Sequence, residues 1–441
     1  MLADHFEHAQ ENERAIQWLT VAAQQALDAD DLAEAIARVE RGAGLGAEGE
    51  ELCAMRVIES QARQWRSEYV EAERAAKHAL LSGDARTQLD GLSALFEALG
   101  PQAKYKEIAT LFHGLERPAA PELLNQWLNC TMIATAHLEL NGDYEVRGRT
   151  LALLEESQEW LEPILLGRAM LSRAGAMRSN ENPAEKVAFI RRAVEHFEKI
   201  GLRRDTCIAF ANLGVALSEV GLVEEAELCM RQVLATAKRM GLKHMFGGGL
   251  QALTNILAYQ GSLDEARTVG EQAVAVTRAQ NDRRFQGFAE AYLSVTEYLA
   301  GDHPRAEHFA RAAIATWDAV PSARPFSLAL LARALLAQGR LADGLPLARD
   351  AFAQLESMGI VDDGEATIRL ALAECLIATG DQPAAQEAVA TTAKWLHTRA
   401  ETIDDPAMRE SFLTRIPEHR RILELARELV HNGSHDHRQH S

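Results

Sequence analysis

The 441-residue chain is poor in the residues that hold small folds together. Aromatic residues make up only 6% of it, and it has 5 cysteines and 12 prolines. The cysteines (Cys53, Cys130, Cys207, Cys229 and Cys375) are singletons inside apolar helical patterns, with no C-x-x-C pair. This offers no disulfide framework and no zinc knuckle, and the odd count suits a reducing compartment. Pro183, Pro304, Pro383 and Pro406 stand at helix starts, where a missing N–H costs nothing. No stretch reaches the roughly 18 uncharged apolar residues of a membrane span. The amino terminus is charged from Asp4 onward, unlike a secretory leader. The expected location is therefore cytoplasmic. A net charge of −18 argues against nucleic acid and against an anionic membrane as partners. The basic pairs Arg203-Arg204, Arg283-Arg284 and Arg420-Arg421 read as solvated charge on loops and polar helix faces.

Catalytic signatures are missing as well. There is no G-x-x-x-x-G-K-[S/T] loop, no H-R-D or D-F-G element, no G-x-S-x-G elbow and no H-E-x-x-H. The run Gly247-Gly248-Gly249 follows a helical pattern, not a strand, and no Lys-Ser/Thr comes after it. Close helix packing accounts for it better than a phosphate loop does. His5 and His8 share a helix face but have no third ligand nearby. His431, His435, His437 and His440 read as a polar tail. The sequence predicts no enzyme, no metal and no cofactor.

What is present is a phrase that keeps returning: a turn glycine, then a small residue five positions later, then an amphipathic helix. It reads Gly221-Leu-Val-Glu-Glu-Ala226, Gly261-Ser-Leu-Asp-Glu-Ala266 and Gly301-Asp-His-Pro-Arg-Ala306. It returns as Gly339-Arg-Leu-Ala-Asp-Gly344 and Gly380-Asp-Gln-Pro-Ala-Ala385, a period of 38 to 41 residues. A fixed period in this range means stacked helical hairpins, none of which buries its apolar face alone. Weaker copies run back through Asp31-Leu-Ala-Glu-Ala35, Glu68-Tyr-Val-Glu-Ala72, Lys104-Tyr-Lys-Glu-Ile108 and Gly142-Asp-Tyr-Glu-Val-Arg147. Asn182-Pro183 opens a further helix with an apolar stripe of Val187, Ile190, Val194 and Phe197. Gly201, Gly241 and Gly359 fit helix C-caps. Asp405-Pro406 and Pro417 start two last helices, which read as a cap sealing the open end. The expected organisation is hairpins over 1–120, a main superhelix over 121–403, capping helices over 404–430 and a disordered tail over 431–441. The least repeat-like stretch is 82–125.

With the turn glycine as position 15, these copies resemble the 34-residue tetratricopeptide template. Small residues then fall at positions 8, 20 and 27, as Gly214, Ala226 and Val233 do in the best copy. Two segments sharpen the likeness. One is Gly364-Glu-Ala-Thr-Ile-Arg369-Leu-Ala-Leu-Ala-Glu374 with Gly380-Asp381; the other runs from Arg399-Ala through Asp405-Pro-Ala-Met-Arg409-Glu-Ser-Phe-Leu413 to Pro417-Glu418. Both resemble the carboxy-terminal helical-repeat part of myxobacterial-type Ser/Thr kinase and ATPase regulators. The start, Leu2-Ala-Asp-His-Phe-Glu7, is similar to the point where such repeats begin. The resemblance implies an all-α, right-handed superhelix (an α-solenoid) of about ten hairpins in bacterial signalling. With the kinase and ATPase motifs missing, no catalytic role carries over.

In such a superhelix the first helix of each hairpin lines a concave groove. The positions that face it here are Gln251, Asn255, Tyr259, Phe288, Tyr298, Phe326 and Arg333, with Glu374 on the following copy. Gln251, Asn255 and Tyr259 are four apart and form one stripe. Amides, aromatics and an arginine suit an extended peptide or a small polar ligand. No inner lysine is present to clamp a terminal carboxylate. The chain is thus expected to be a non-catalytic interaction or regulatory module. Its candidate partners are a protein or peptide, including a kinase or ATPase module; a small-molecule effector in the groove and a passive scaffold are the alternatives.

Overall fold

The computed structural model describes residues 2–140, 143, 145–157, 161–177, 182–317, 320, 322–359, 361 and 363–439, with side chains at all of these except 140, 176 and 429–439. Among the described residues there are 23 α-helices, one short 3-10 turn (Pro121–Leu123) and no strand. In chain order they are α1 (Leu2–His8), α2 (Asn12–Asp28), α3 (Leu32–Gly44), α4 (Gly49–Trp65), α5 (Tyr69–Ala79), α6 (Ala85–Leu99), α7 (Tyr105–His113) and α8 (Leu124–Leu140). Next come α9 (Glu145–Ser157), α10 (Pro163–Ala176), α11 (Pro183–Lys199), α12 (Arg203–Glu219), α13 (Val223–Met240), α14 (Lys243–Gln260), α15 (Leu263–Ala279) and α16 (Arg283–Leu299). The last are α17 (His303–Thr316), α18 (Arg324–Ala337), α19 (Leu341–Met358), α20 (Glu365–Thr379), α21 (Gln382–Glu401), α22 (Pro406–Thr414) and α23 (Pro417–Gln439). The final helix continues past Val430, where the sequence pattern fades. Gly142 and Tyr144 of the fourth weak copy, and His440, lie outside the described residues.

The recurring phrase has a local physical cause. The turn glycines 221, 261, 301, 339 and 380 all take left-handed φ, between 76° and 84°. A glycine there ends one helix at the least conformational cost. In two of the copies the next helix then starts on a side-chain cap. Asp302 accepts from the Arg305 N–H and Asp381 from the Ala384 N–H, which satisfies a donor that the helix start leaves open. The small residue five positions on lies where two helices cross: Ala226, Ala266 and Ala306 are fully buried. At Gly344 a Cβ would stand 2.9 Å from the Ala332 carbonyl oxygen.

The contacts divide the chain into two units. The first comprises Met1–Ala169, Leu234–Gly247 and Thr277–Arg283. Here the first helices of successive hairpins, α2, α4 and α6, pack on one another as well as on their own partners. A buried polar knot joins distant segments. The Tyr69 hydroxyl lies 2.9 Å from His244 Nδ1 and donates to Asp282 at 3.2 Å. In the same unit Gly247 packs against the Thr277 and Gln280 side chains, the close approach that this glycine run suggests.

The second unit comprises Met170–Val233, Gly248–Val276 and Arg284–Ser441. Its second helices are stitched along the outside by a repeating ion pair. Arg191 meets Glu225 at 2.8 Å, Arg231 meets Glu265 at 2.8 Å, and Arg305 meets Glu271 at 2.9 Å. Each exposed pair contributes at most about 1 kcal/mol. The first helices form the inner layer, with α18 packed directly on α20. Two of them, α16 and α18, are unusual in being covered all round over much of their length. Every residue from Gly287 to Glu297 in α16 and from Pro325 to Leu335 in α18 is buried. A helix lining an open groove would leave one stripe to solvent.

Candidate functional site

The inner layer of the second unit is covered in part by the chain's own carboxy-terminal helices. These pack on α20 and α21, as a cap would. They also reach back across the inner face. The Ser411 hydroxyl on α22 donates to the Gly221 carbonyl at 2.9 Å, and Arg415 pairs with Glu224 at the start of α13. Phe412, Ile416, Ile422 and Leu425 join one buried cluster with Leu370, Val389, Leu396 and Ile403, and Ala184 and Tyr259 pack against it.

Glu418 stands in the first turn of α23 and is only 3% exposed. It lies 3.7 Å from Nη1 of Arg333, which is itself buried in α18. Arg333 Nε also donates to Glu374 of α20 at 2.9 Å. The guanidinium carbon sits 4.5 Å from the centre of the Tyr298 ring, a cation–π distance. Burial works to lower the Arg333 pKa, but Glu374, Tyr298 and Glu418 outweigh it and the net shift is upward. The guanidinium is therefore locked in its charged form between two carboxylates. Ser294, Val295, Tyr298, Leu299, Leu330, Arg333 and Glu418 line a small pocket at this point. Tyr259 completes the set. Its side chain packs against the same cluster, and burial, then the Glu418 and Asp363 carboxylates, push its pKa well up.

A second group secures α23 from the other side. The buried His419 ring lies 2.7 Å through Nδ1 from the Phe412 carbonyl, which fixes Nδ1–H as the donor in the neutral ring. It packs 4.4 Å from the Phe412 ring. Burial, with Arg399 adding to it, lowers its pKa to about 4. Arg399 lies 3.6 Å over the Trp395 ring and bonds Glu365 at 3.0 Å.

Three of the seven residues read from the sequence, Tyr259, Tyr298 and Arg333, thus lie around Glu418; Asn255 stands one turn before Tyr259, its Oδ1 without a hydrogen-bond partner among the described residues. Gln251 lies one turn before Asn255 and is buried, with no hydrogen-bond partner for its Oε1 among the described residues. Phe288 and Phe326 stand elsewhere, inside an aromatic core. Phe288 packs 4.7 Å from Trp317 and 5.8 Å from Tyr292, and Tyr292 lies 6.3 Å from Phe326. Phe326 fills the space beside Gly364. Sequence spacing misses Glu418, Ser411 and Arg415. Pro417-Glu418 reads as a helix start, but no local pattern announces its contact with Arg333 or that of Ser411 with Gly221, 190 positions away. No cluster of three or more His, Cys, Asp or Glu side chains suited to a metal occurs among the described residues. No helix among them is long and apolar enough to cross a membrane.

Residues 206–240, the α12–α13 hairpin, match the tetratricopeptide repeat family. The array is tetratricopeptide-like. Among solved structures the chain is similar to a Rap protein complexed with Competence and Sporulation Factor, with TM-score 0.53 and 14% identity, covering 86% of this chain and 99% of that one. Weaker likenesses are to aspartyl phosphate phosphatase F from Bacillus subtilis (TM-score 0.46, 12% identity, 79% and 95% covered) and to a signal transduction ATPase with a tetratricopeptide repeat sensor from Pyrococcus horikoshii (TM-score 0.43, 12% identity, 80% and 57% covered). At these identities the likeness shows the helical-repeat fold alone. A comparison with curated protein sequences gives no match.

Proposed function

We propose that the chain is a non-catalytic interaction and regulatory module of bacterial signal transduction, and that the inner face of its second unit is the binding surface. The observation that carries this reading is that Arg333 faces the Glu418 carboxylate of a packed helix, with the Tyr298 ring beneath its guanidinium and Tyr259 beside it, three residues from three separate inner helices. An arrangement that grips a helix of its own chain has the shape and charge to grip one from another protein. The Rap protein, similar in fold, is complexed with Competence and Sporulation Factor. The family resemblance adds a kinase or ATPase module as the candidate partner.

Affinity capture with the wild-type chain and with Asn255→Ala and Tyr259→Phe tests the surface. Both variants are expected to lose a partner that the wild type retains, with unchanged helix content. Equal recovery by all three would move binding away from this face. Thermal shift against a metabolite panel separates a small-molecule sensor from a protein-binding module. A ligand at about a hundred times its Kd adds about 2.7 kcal/mol, so a binder could not escape notice.

A further inference from the structure

We infer that α22–α23 is a displaceable internal ligand. It holds the inner face closed against a partner that presents an amphipathic helix with a carboxylate in its first turn. The inference rests on the proposed binding surface and adds its regulation and the chemistry of its occupant.

Three observations carry it. The first is that the segment lies on the inner face as a bound helix would, in addition to packing on the end of the stack. Glu418, Ile422 and Leu425 are spaced by four and three, so they share one helix face, and all three are buried. The acid meets Arg333 and Tyr259, while Ile422 and Leu425 enter the apolar cluster that Tyr259 also touches. The second is the covered state of α16 and α18, which leaves no stripe free for any other molecule. The third is how the far end is held. The Ser411 bond to Gly221 and the Arg415–Glu224 pair join α22 to the α12–α13 turn. The side chains of Arg415 and Glu224 are 47% and 66% exposed, so that pair is weak and open to competition. The buried attachment at Glu418 supplies specificity, and the solvent-facing one supplies a place for release to begin.

The recognition chemistry follows from the resident helix. A competitor must bring a carboxylate to Arg333, because the guanidinium is fixed in its charged form. It must also bring apolar side chains four and seven positions later. Because the face is open only in the released fraction, the apparent Kd of a competitor exceeds its intrinsic value by the inverse of that fraction.

The test uses the full-length chain and a fluorescent peptide with the sequence of residues 404–428. A released chain carries Ser411→Ala, Arg415→Ala and Glu418→Ala, which weaken the internal helix and leave the inner face intact. The peptide is expected to bind the released chain at least about ten-fold more tightly than the wild type. A peptide carrying Glu418→Lys is expected to lose that gain. Hydrogen exchange over 404–428 should rise in the released chain while α16 and α18 stay protected. Equal peptide affinity for a folded released chain and for the wild type would overturn the inference, and so would full retention by the Glu418→Lys peptide. Failure of the underlying reading looks different. There the peptide would still bind the released chain, but capture of the partner would be indifferent to Asn255→Ala and Tyr259→Phe.

Discussion

The hydroxyl of Ser411 is bonded to the backbone carbonyl of Gly221, across 190 positions of sequence. Gly221 is at once the turn of the α12–α13 hairpin and the landing point of α22. Its φ is +76°, and a Cβ there would stand 2.5 Å from the Ser411 carbonyl oxygen. Gly221→Ala therefore meets two penalties, left-handed backbone strain and a clash with α22. It is expected to lower stability by about 1–3 kcal/mol and to raise hydrogen exchange over 404–428. Gly261→Ala has the strain but no neighbour within 4 Å, so it should leave that exchange unchanged. Equal exchange in the two variants would remove the contact from the account.

Arg333 is buried between Glu374 and Glu418, and removing it leaves Glu418 without its cation and Glu374 with only the more distant Arg421, at 3.9 Å. Urea unfolding of Arg333→Ala is expected to show a loss of about 3–5 kcal/mol. Arg333→Met with Glu374→Leu and Glu418→Leu should recover much of it, because an apolar replacement needs no charge compensation. Recovery absent in the triple variant would mean that packing, rather than charge, holds this point.

His419 makes the docking of α23 sensitive to acid. Its pKa falls from 6.5 to about 4 on folding, so the folded state resists the proton. The stability it contributes is complete above pH 6.5 and is lost as the pH falls from there through about 4. The groups around it are the Phe412 carbonyl and ring, Trp395 and Arg399, none of which offers a carboxylate to hold the charged ring. His419→Gln keeps a donor for the Phe412 carbonyl and cannot titrate. The difference in stability between wild type and this variant should therefore change across that window. A constant difference would count against a neutral buried ring.

The hairpin contacts and the candidate site predict different behaviour for two sets of residues. Ala226→Leu, Ala266→Leu and Ala306→Leu overpack fully buried crossings and are expected to cost about 1–3 kcal/mol each. Phe288→Ala and Phe326→Ala empty the aromatic core, at about 3–5 kcal/mol each, without changing partner selectivity at permissive temperature. Tyr259→Phe is expected to do the reverse. Thermal melts beside capture assays separate the two sets.

The repeats were legible because each depends on a few neighbouring residues. Gly221 ends a helix, Asp302 caps one and Ala226 permits a crossing, and each role is written within a single hairpin. The inward register of Tyr259, Tyr298 and Arg333 is read in the same way, since position within the hairpin gives which side of a helix faces inward. Phe288 and Phe326 share that inward register, yet Trp317 and Gly364 claim them for the core. Periodicity gives the direction of a side chain but not what awaits it there. The return of α22–α23 is written in no spacing at all. It depends on where the whole succession of hairpins has carried the chain by Ser411.

An open solenoid tolerates gain or loss of a repeat, because each unit answers only to those beside it. The clasp between Ser411 and Gly221 withdraws that freedom. Deleting or duplicating one hairpin between them would carry Ser411 out of reach of its mate. In this half of the molecule the tally of hairpins between Gly221 and Ser411 is therefore tied to the docked state of α22.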